Sequence, residues 1–169
     1  MTAVDVTITY LQMLDPGQLR PRACERSGWR VERAPRDPAI NRDYYRDVGA
    51  AWHWVDRLSW SDAWWHTHAH QPELTTYVGY LDNEPIGYFE LHHRTDSGVE
   101  IAYFGLLPRF IGQSFGGALL TEAVTFAWQL GPSRVWLHTC TLDHPQALAN
   151  YQARGFEIYN TETKRQAML

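Results

Sequence analysis

Two stretches of the chain carry residue types suited to chemistry. The first is Arg109-Phe110-Ile111-Gly112-Gln113-Ser114-Phe115-Gly116-Gly117, a glycine-rich turn that opens a helical period. Glycine lets a backbone turn sharply and approach a ligand closely, and the first N–H groups of a helix have no intrahelical partner. With the positive end of the helix dipole, those donors suit an anion, phosphate above all. No lysine follows to complete the Gly-Lys-Ser/Thr nucleotide pattern, and the run is not Gly-x-Gly-x-x-Gly. Close packing of the helix is the competing explanation for the glycines. The second stretch is Val99-Glu100-Ile101-Ala102-Tyr103-Phe104, where Glu100 is the one carboxylate in an apolar run. His66-x-His68-x-His70 has a spacing that can chelate a metal. On a helix only His66 and His70 share a face, and no carboxylate or thiol is spaced to complete a site, so a polar helix end is the preferred reading and no metal is expected. His138 reads as a satisfied core histidine, with a proton carrier as the alternative, and His144-Pro145 as a helix entrance.

The elements that must position these groups follow from periodicity. Residues 98–104 alternate with both faces largely apolar, as in a central strand. After Pro108 the period becomes 3.6, with Gly116, Leu119, Leu120, Ala123, Val124, Ala127 and Leu130 on one stripe, and Gly131-Pro132 ends the helix. Upstream, Val4–Leu11 reads as an opening strand, and the stretch from Asp15-Pro16-Gly17 to about Pro38 as irregular surface chain. Tyr44, Val48, Ala51, Trp52 and Val55 recur at helical spacing with Asn41 as the candidate cap. Ser61 caps a second helix, with Trp60 packing on Trp65. Thr75–Leu81 and Ile86–His92 form a hairpin about Asp82-Asn83-Glu84-Pro85. Arg134–Thr141 is a further strand, residues 144–154 a short helix closed by Gly155, and residues 156–163 a last strand. The expected fold class is mixed α/β: a mostly antiparallel sheet flanked by helices, with one parallel pair joined across the helix at 115–130.

Composition narrows the function. The chain has 169 residues, 44% hydrophobic and 20% charged, which suits one globular domain over residues 1–169. A net charge of -4 disfavours a phosphate-backbone partner. Arg20, Arg22, Arg26, Arg30, Arg33, Arg36, Arg42 and Arg46 cluster, but Glu25, Glu32, Asp37 and Asp43 intervene, so a solvated mixed-charge surface is expected there and not an anion site. Cys24 and Cys140 provide no disulfide framework. No apolar run reaches the roughly 20 residues that span a bilayer, and MTAVDVTITY lacks a signal-peptide layout; a cytoplasmic location is the expectation. Five of eight tryptophans lie between Trp52 and Trp65, mostly core by expectation, with an aromatic pocket for an apolar amine or an ammonium as the alternative.

The segment from Phe104 to Leu120 resembles the pyrophosphate-binding segment of the GNAT N-acetyltransferase superfamily, Arg/Gln-x-x-Gly-x-Gly/Ala after a strand. Aligned on Gly116, Ile111 stands where Arg or Gln is usual and Ser114 where the first Gly is usual. A second block, LDHPQALANYQARGF at 142–156, resembles that family at Ala147, Tyr151, Gly155 and Phe156, with Asp143 near a common Asn. The resemblance implies acetyl-CoA as acyl donor, a direct-transfer ternary complex with a primary amine, and a parallel strand pair splayed at the cofactor. It implies that Ile111, Gly112, Gln113, Ser114, Phe115, Gly116 and Gly117 hold pyrophosphate through backbone amides and that Asp143 borders the cofactor. Leu106 and Leu107 would bind the pantetheine arm and supply the oxyanion donor. Removing a proton from the amine requires a base, for which Glu100 is the candidate, with a structural Glu100–arginine pair as the alternative. Tyr151 would sit beside the sulfur and protonate the thiolate; the alternative is a packing role. The implied partners are a small-molecule or peptide amine acceptor, neither nucleic acid nor membrane, and a second copy of the chain as a candidate homodimer partner. A non-catalytic acyl-CoA-binding regulatory module is the rival function.

Overall fold

The computed structural model describes residues 2–168. Among these described residues seven strands form one sheet in the order β2-β3-β4-β5-β6-β1-β7. They are β1 (Ala3–Met13), β2 (Trp29–Arg33), β3 (Leu74–Leu81), β4 (Glu84–Arg94), β5 (Gly98–Leu106), β6 (Val135–Cys140) and β7 (Glu157–Ala167). The helices are α1 (Pro38–Gly49), α2 (Asp62–Ala69), α3 (Phe115–Gln129) and α4 (Ala147–Ala153). All strand pairs are antiparallel except β5 with β6, the parallel pair joined across α3. This is the mixed fold expected from the order of periods.

Helices cover both faces. Leu119, Leu120, Ala123, Val124 and Ala127 of α3 are buried against Phe89, Leu91, Val99, Ile101, Val135 and Leu137. Each large aliphatic side chain buried in this way contributes about 1.5–3 kcal/mol. On the other face Val48 of α1 packs with Val78 and Tyr88 of the sheet, flanked by Tyr44, Trp54 and Tyr103.

Four local expectations are corrected. Residues 29–33 form a strand, paired with β3 from Trp29↔Leu81 to Arg33↔Tyr77. Its charged residues conceal the alternation, and the open edge of β3 makes it a strand. The cap of α1 is Asp37, whose side chain accepts from the Ala39 N–H, with Pro38 opening the helix; Asn41 is buried inside it. Nor does that helix reach Val55. It stops at Gly49, where the chain doubles back and the Trp52 and Trp54 amides both donate to the Gly49 carbonyl. A Cβ on Gly49 would lie 2.4 Å from that of Trp54, so the reversal requires glycine. The hairpin turn is only Asp82-Asn83, with Asp82 at φ +56°. By contrast, Ser61 caps α2 by accepting from the Trp64 N–H, and the Trp60 and Trp65 rings meet at 4.8 Å as expected.

Two irregularities shape the sheet's centre. A register shift opposite Glu90 and Leu91 leaves Ala102 as an extra residue in β5, a bulge that changes which face later side chains take. Val99 and Ile101 join the α3 core, Tyr103 joins the α1 side, and Phe104 returns to the α3 side. The parallel pairing of β5 with β6 is short, Val99↔Val135 and Glu100↔Trp136 only, after which the strands part.

Candidate active site

The gap where β5 and β6 part opens into a cavity of about 450 Å³. Its walls include Phe104, Gly105 and Leu106 of β5, Ile111, Gly112, Ser114, Phe115, Gly116 and Gly117 of the turn and α3, and Asp143, Asn150 and Tyr151 around α4. Val48, Trp52 and Trp54 close the α1 side, and the Trp52 ring meets His144 edge-on at 4.7 Å across the mouth.

The turn has the conformation that its composition implied, with one substitution of residue type. Gly112 has φ +82°, and a Cβ there would meet nothing within 4 Å, so backbone angle and not space calls for glycine. Ser114 has φ +70° at the position where the resembled pattern carries glycine. Its side chain makes no capping hydrogen bond, so the first-turn amides of α3 have no side-chain acceptor from it. Gln113 is turned away: its side-chain amide donates to the Arg109 carbonyl at 2.8 Å, and it does not line the cavity.

Of the two candidate oxyanion donors, Leu107 is excluded, because its N–H donates to the Ile86 carbonyl at 2.8 Å. Bonding direction alternates along an antiparallel pair, and Leu106 stands opposite Gly87. Its N–H, like that of Phe104, therefore points away from β4 into the gap. Tyr151 is buried, its ring 6.2 Å from Phe104 and 6.3 Å from Phe156. Burial, and then the Asp143 charge, push its phenol pKa far up, so the hydroxyl stays protonated. The Asp143 carboxylate accepts from the Thr139 hydroxyl at 3.0 Å and from the His144 N–H at 2.9 Å, which organises the entry to α4.

Glu100 does not line this cavity. It lies in a neighbouring one of about 460 Å³ on the α1 and α2 side, with Asp56, Arg57, His68, His92, Arg94, Ala102, Tyr103 and His138. The bulge puts Glu100, Ala102 and Tyr103 together there, and β5 lines both cavities, the first with Phe104 to Leu106 and the second with Glu100, Ala102 and Tyr103. Arg94 Nη2 is 3.5 Å from Glu100 Oε1, so the arginine contact that was the alternative reading is present. His138 Nε2 is 3.8 Å from Glu100 Oε2 and half exposed, which corrects its reading as a core residue.

A network that the sequence reading missed underlies this second cavity. Glu90 of β4 is fully buried; Arg57 Nη1 donates to both its oxygens at 3.0 and 3.2 Å. Asn41 donates to Oε2 at 2.9 Å, and His68 Nε2 lies 2.9 Å from Oε1. Burial raises the Glu90 pKa, but the Arg57 charge and the hydrogen bonds outweigh it and hold the group at about 2. The Arg57 guanidinium lies 4.2 Å over Tyr103 and 4.9 Å over Trp60. His68 is thus a buried partner of Glu90 and not part of a polar helix end, while the His66 and His70 rings stack at 4.1 Å. Among the described residues no group of three metal-ligating side chains occurs. Glu90 sits in the apolar run GYFEL, the same signal that singled out Glu100.

A sheet parted beside a glycine turn and a helix N-terminus defines a class, and the comparisons agree with it. The model of the Acetyltransferase (GNAT) family matches residues 38–156, and the chain belongs to that family. Among solved structures it resembles a GCN5-related N-acetyltransferase from Kribbella flavida, with 17% identity and a TM-score of 0.68 over 96% of this chain and 58% of that one. The chain thus spans less than two thirds of that protein's length. An aminoglycoside acetyltransferase from an uncultured soil metagenomic sample matches at 18% identity and TM-score 0.61, covering 75% of this chain and 87% of that one. An IAA acetyltransferase from Bacillus cereus matches at 24% identity and TM-score 0.58, covering 78% and 79%. At these identities the likeness is one of fold. No curated protein matches the sequence.

Proposed function

We propose that the protein transfers an acetyl group from acetyl-CoA to a primary amine, with both substrates bound at once. The observation that carries this reading is the pair of unpaired β5 amides, Phe104 and Leu106, facing a gap that ends at the glycine turn. The amides of Gly112 to Gly117 receive the pyrophosphate, supported by the helix dipole. Phe104 to Leu106 receive the pantetheine arm as an added strand, which sets the thioester near the point on β5 where the lining of one cavity gives way to that of the other. The amine enters from the side of Glu100 and His138. Glu100 accepts the amine proton, directly or through water, the new N–C bond forms, and the C–S bond breaks. Leu106 N–H is fixed in position for the oxyanion, and Tyr151 gives its proton to the departing thiolate.

The Arg94–Glu100 contact favours a second reading, a non-catalytic module that binds acyl-CoA. A panel of small and peptide amines, assayed by thiol release from acetyl-CoA beside a thermal-shift titration, distinguishes them. Amine-dependent release supports the enzyme. A raised melting temperature without release from any amine supports the module, and no shift with acetyl-CoA overturns both.

A further inference from the structure

Arg22 and Arg154 come from opposite ends of the chain and converge on the first turn of α3. A Cβ built on Gly117 would lie 2.8 Å from Arg22 Cδ and 2.9 Å from Arg154 Nη1, so both side chains lie over that glycine. Both are held there by backbone. The Arg22 N–H donates to Thr121 Oγ1 at 2.9 Å, the Thr121 hydroxyl donates to the Gly117 carbonyl at 2.8 Å, and the Arg20 N–H donates to the Arg154 carbonyl at 2.8 Å. Among the described residues neither guanidinium has an acidic partner. Arg154 Nε and Nη1 are buried without any hydrogen-bond partner, the only guanidinium atoms in that condition among the described residues. Burial, and then the adjacent Arg22 charge, lower the Arg154 pKa.

Unpaired buried donors on like charges are costly unless an anion arrives. Arg22 itself lines the cavity beside Ser114, Gly116 and Gly117, and the turn has Ile111 where the family pattern has Arg or Gln. Resting on the coenzyme reading above, we propose that Arg22 and Arg154 form a clamp for a phosphate group at the nucleotide end of coenzyme A, supplying from outside the turn the polar side chains that Ile111 does not, while Arg109 of the turn is paired with Glu84. The expectation of a merely solvated arginine surface then fails at Arg22, while Arg30 with Glu32 and Arg42 with Asp43 keep it.

The test is calorimetric titration of the parent, R22Q and R154Q with coenzyme A and with its 3′-dephospho form, beside melting curves without ligand. Each variant should bind coenzyme A about ten-fold or more weakly, the loss of one charge-assisted contact. Because neither arginine has a partner to lose, the unliganded melting temperature should not fall. A loss confined to coenzyme A assigns the clamp to the 3′-phosphate, and an equal loss with both ligands assigns it to the pyrophosphate. Parent-like affinity of both variants for both ligands overturns the proposal; R22Q keeps the test valid if R154Q misfolds, since Arg22 is exposed. A parent that binds neither ligand overturns the coenzyme reading itself.

Discussion

Ser114→Gly should stabilise the protein, and the size of the effect follows from one backbone angle. Ser114 is held at φ +70°, a left-handed conformation that costs a residue with a Cβ about 1–2 kcal/mol. Glycine removes that cost but loses about 0.5–1 kcal/mol through its freer unfolded chain. The hydroxyl offsets nothing, because it makes no capping bond, and the residue is exposed. The net expectation lies within about 0–1.5 kcal/mol of added stability and centres on about 0.8 kcal/mol, a rise in melting temperature of about 2–3 °C for a chain of this length. Ser114→Ala is the control: it keeps the Cβ and removes the hydroxyl, so its melting temperature should match the parent. Calorimetric melting of the three proteins decides. A glycine variant that melts at or below the alanine variant would refute a strained turn, and the amides of α3 would then be held by something other than the conformation of residue 114.

Three further outcomes are expected. Glu90 has its pKa lowered from 4.5 to about 2, so its contribution, about 3 kcal/mol by linkage, is present above pH 4.5 and lost as pH falls towards 2. Glu90→Gln should therefore melt lower at pH 7, with Arg57 left buried and unpaired, and should show a shallower acid decline than the parent between pH 5 and 2; parallel declines would contradict this. Tyr151→Phe should keep coenzyme affinity while turnover falls by about 10²-fold or more, and full turnover would leave Tyr151 a packing residue between Phe104 and Phe156. Glu100→Gln should lower turnover at neutral pH with a deficit that shrinks at high pH, where more amine arrives neutral. A pH-rate profile lowered uniformly would make Glu100 a positioning residue.

Local periodicity was enough for the central strand, the glycine turn, α3 and the parallel crossover, because each is a property of a continuous run of residues. The turn was legible for the same reason: its conformation depends on glycine content, and Gly112 at φ +82° reports a local requirement. What only the tertiary structure decided depends on pairing between distant segments. The bulge at Ala102 is a register event between two strands, invisible in either alone, yet it sets Glu100 and Tyr103 in the same cavity. Leu107 differs from Leu106 only through the Ile86 carbonyl that takes its N–H. Glu90 shares with Glu100 the mark of a carboxylate in an apolar run, but its role depends on Asn41, Arg57 and His68 in other elements, since a buried carboxylate acquires meaning from the charges that surround it. Arg22 and Arg154 are two among many arginines in the sequence; only the packing of the chain between β1 and β2 against α3 and the end of α4 brings them together, with no acidic partner for either among the described residues.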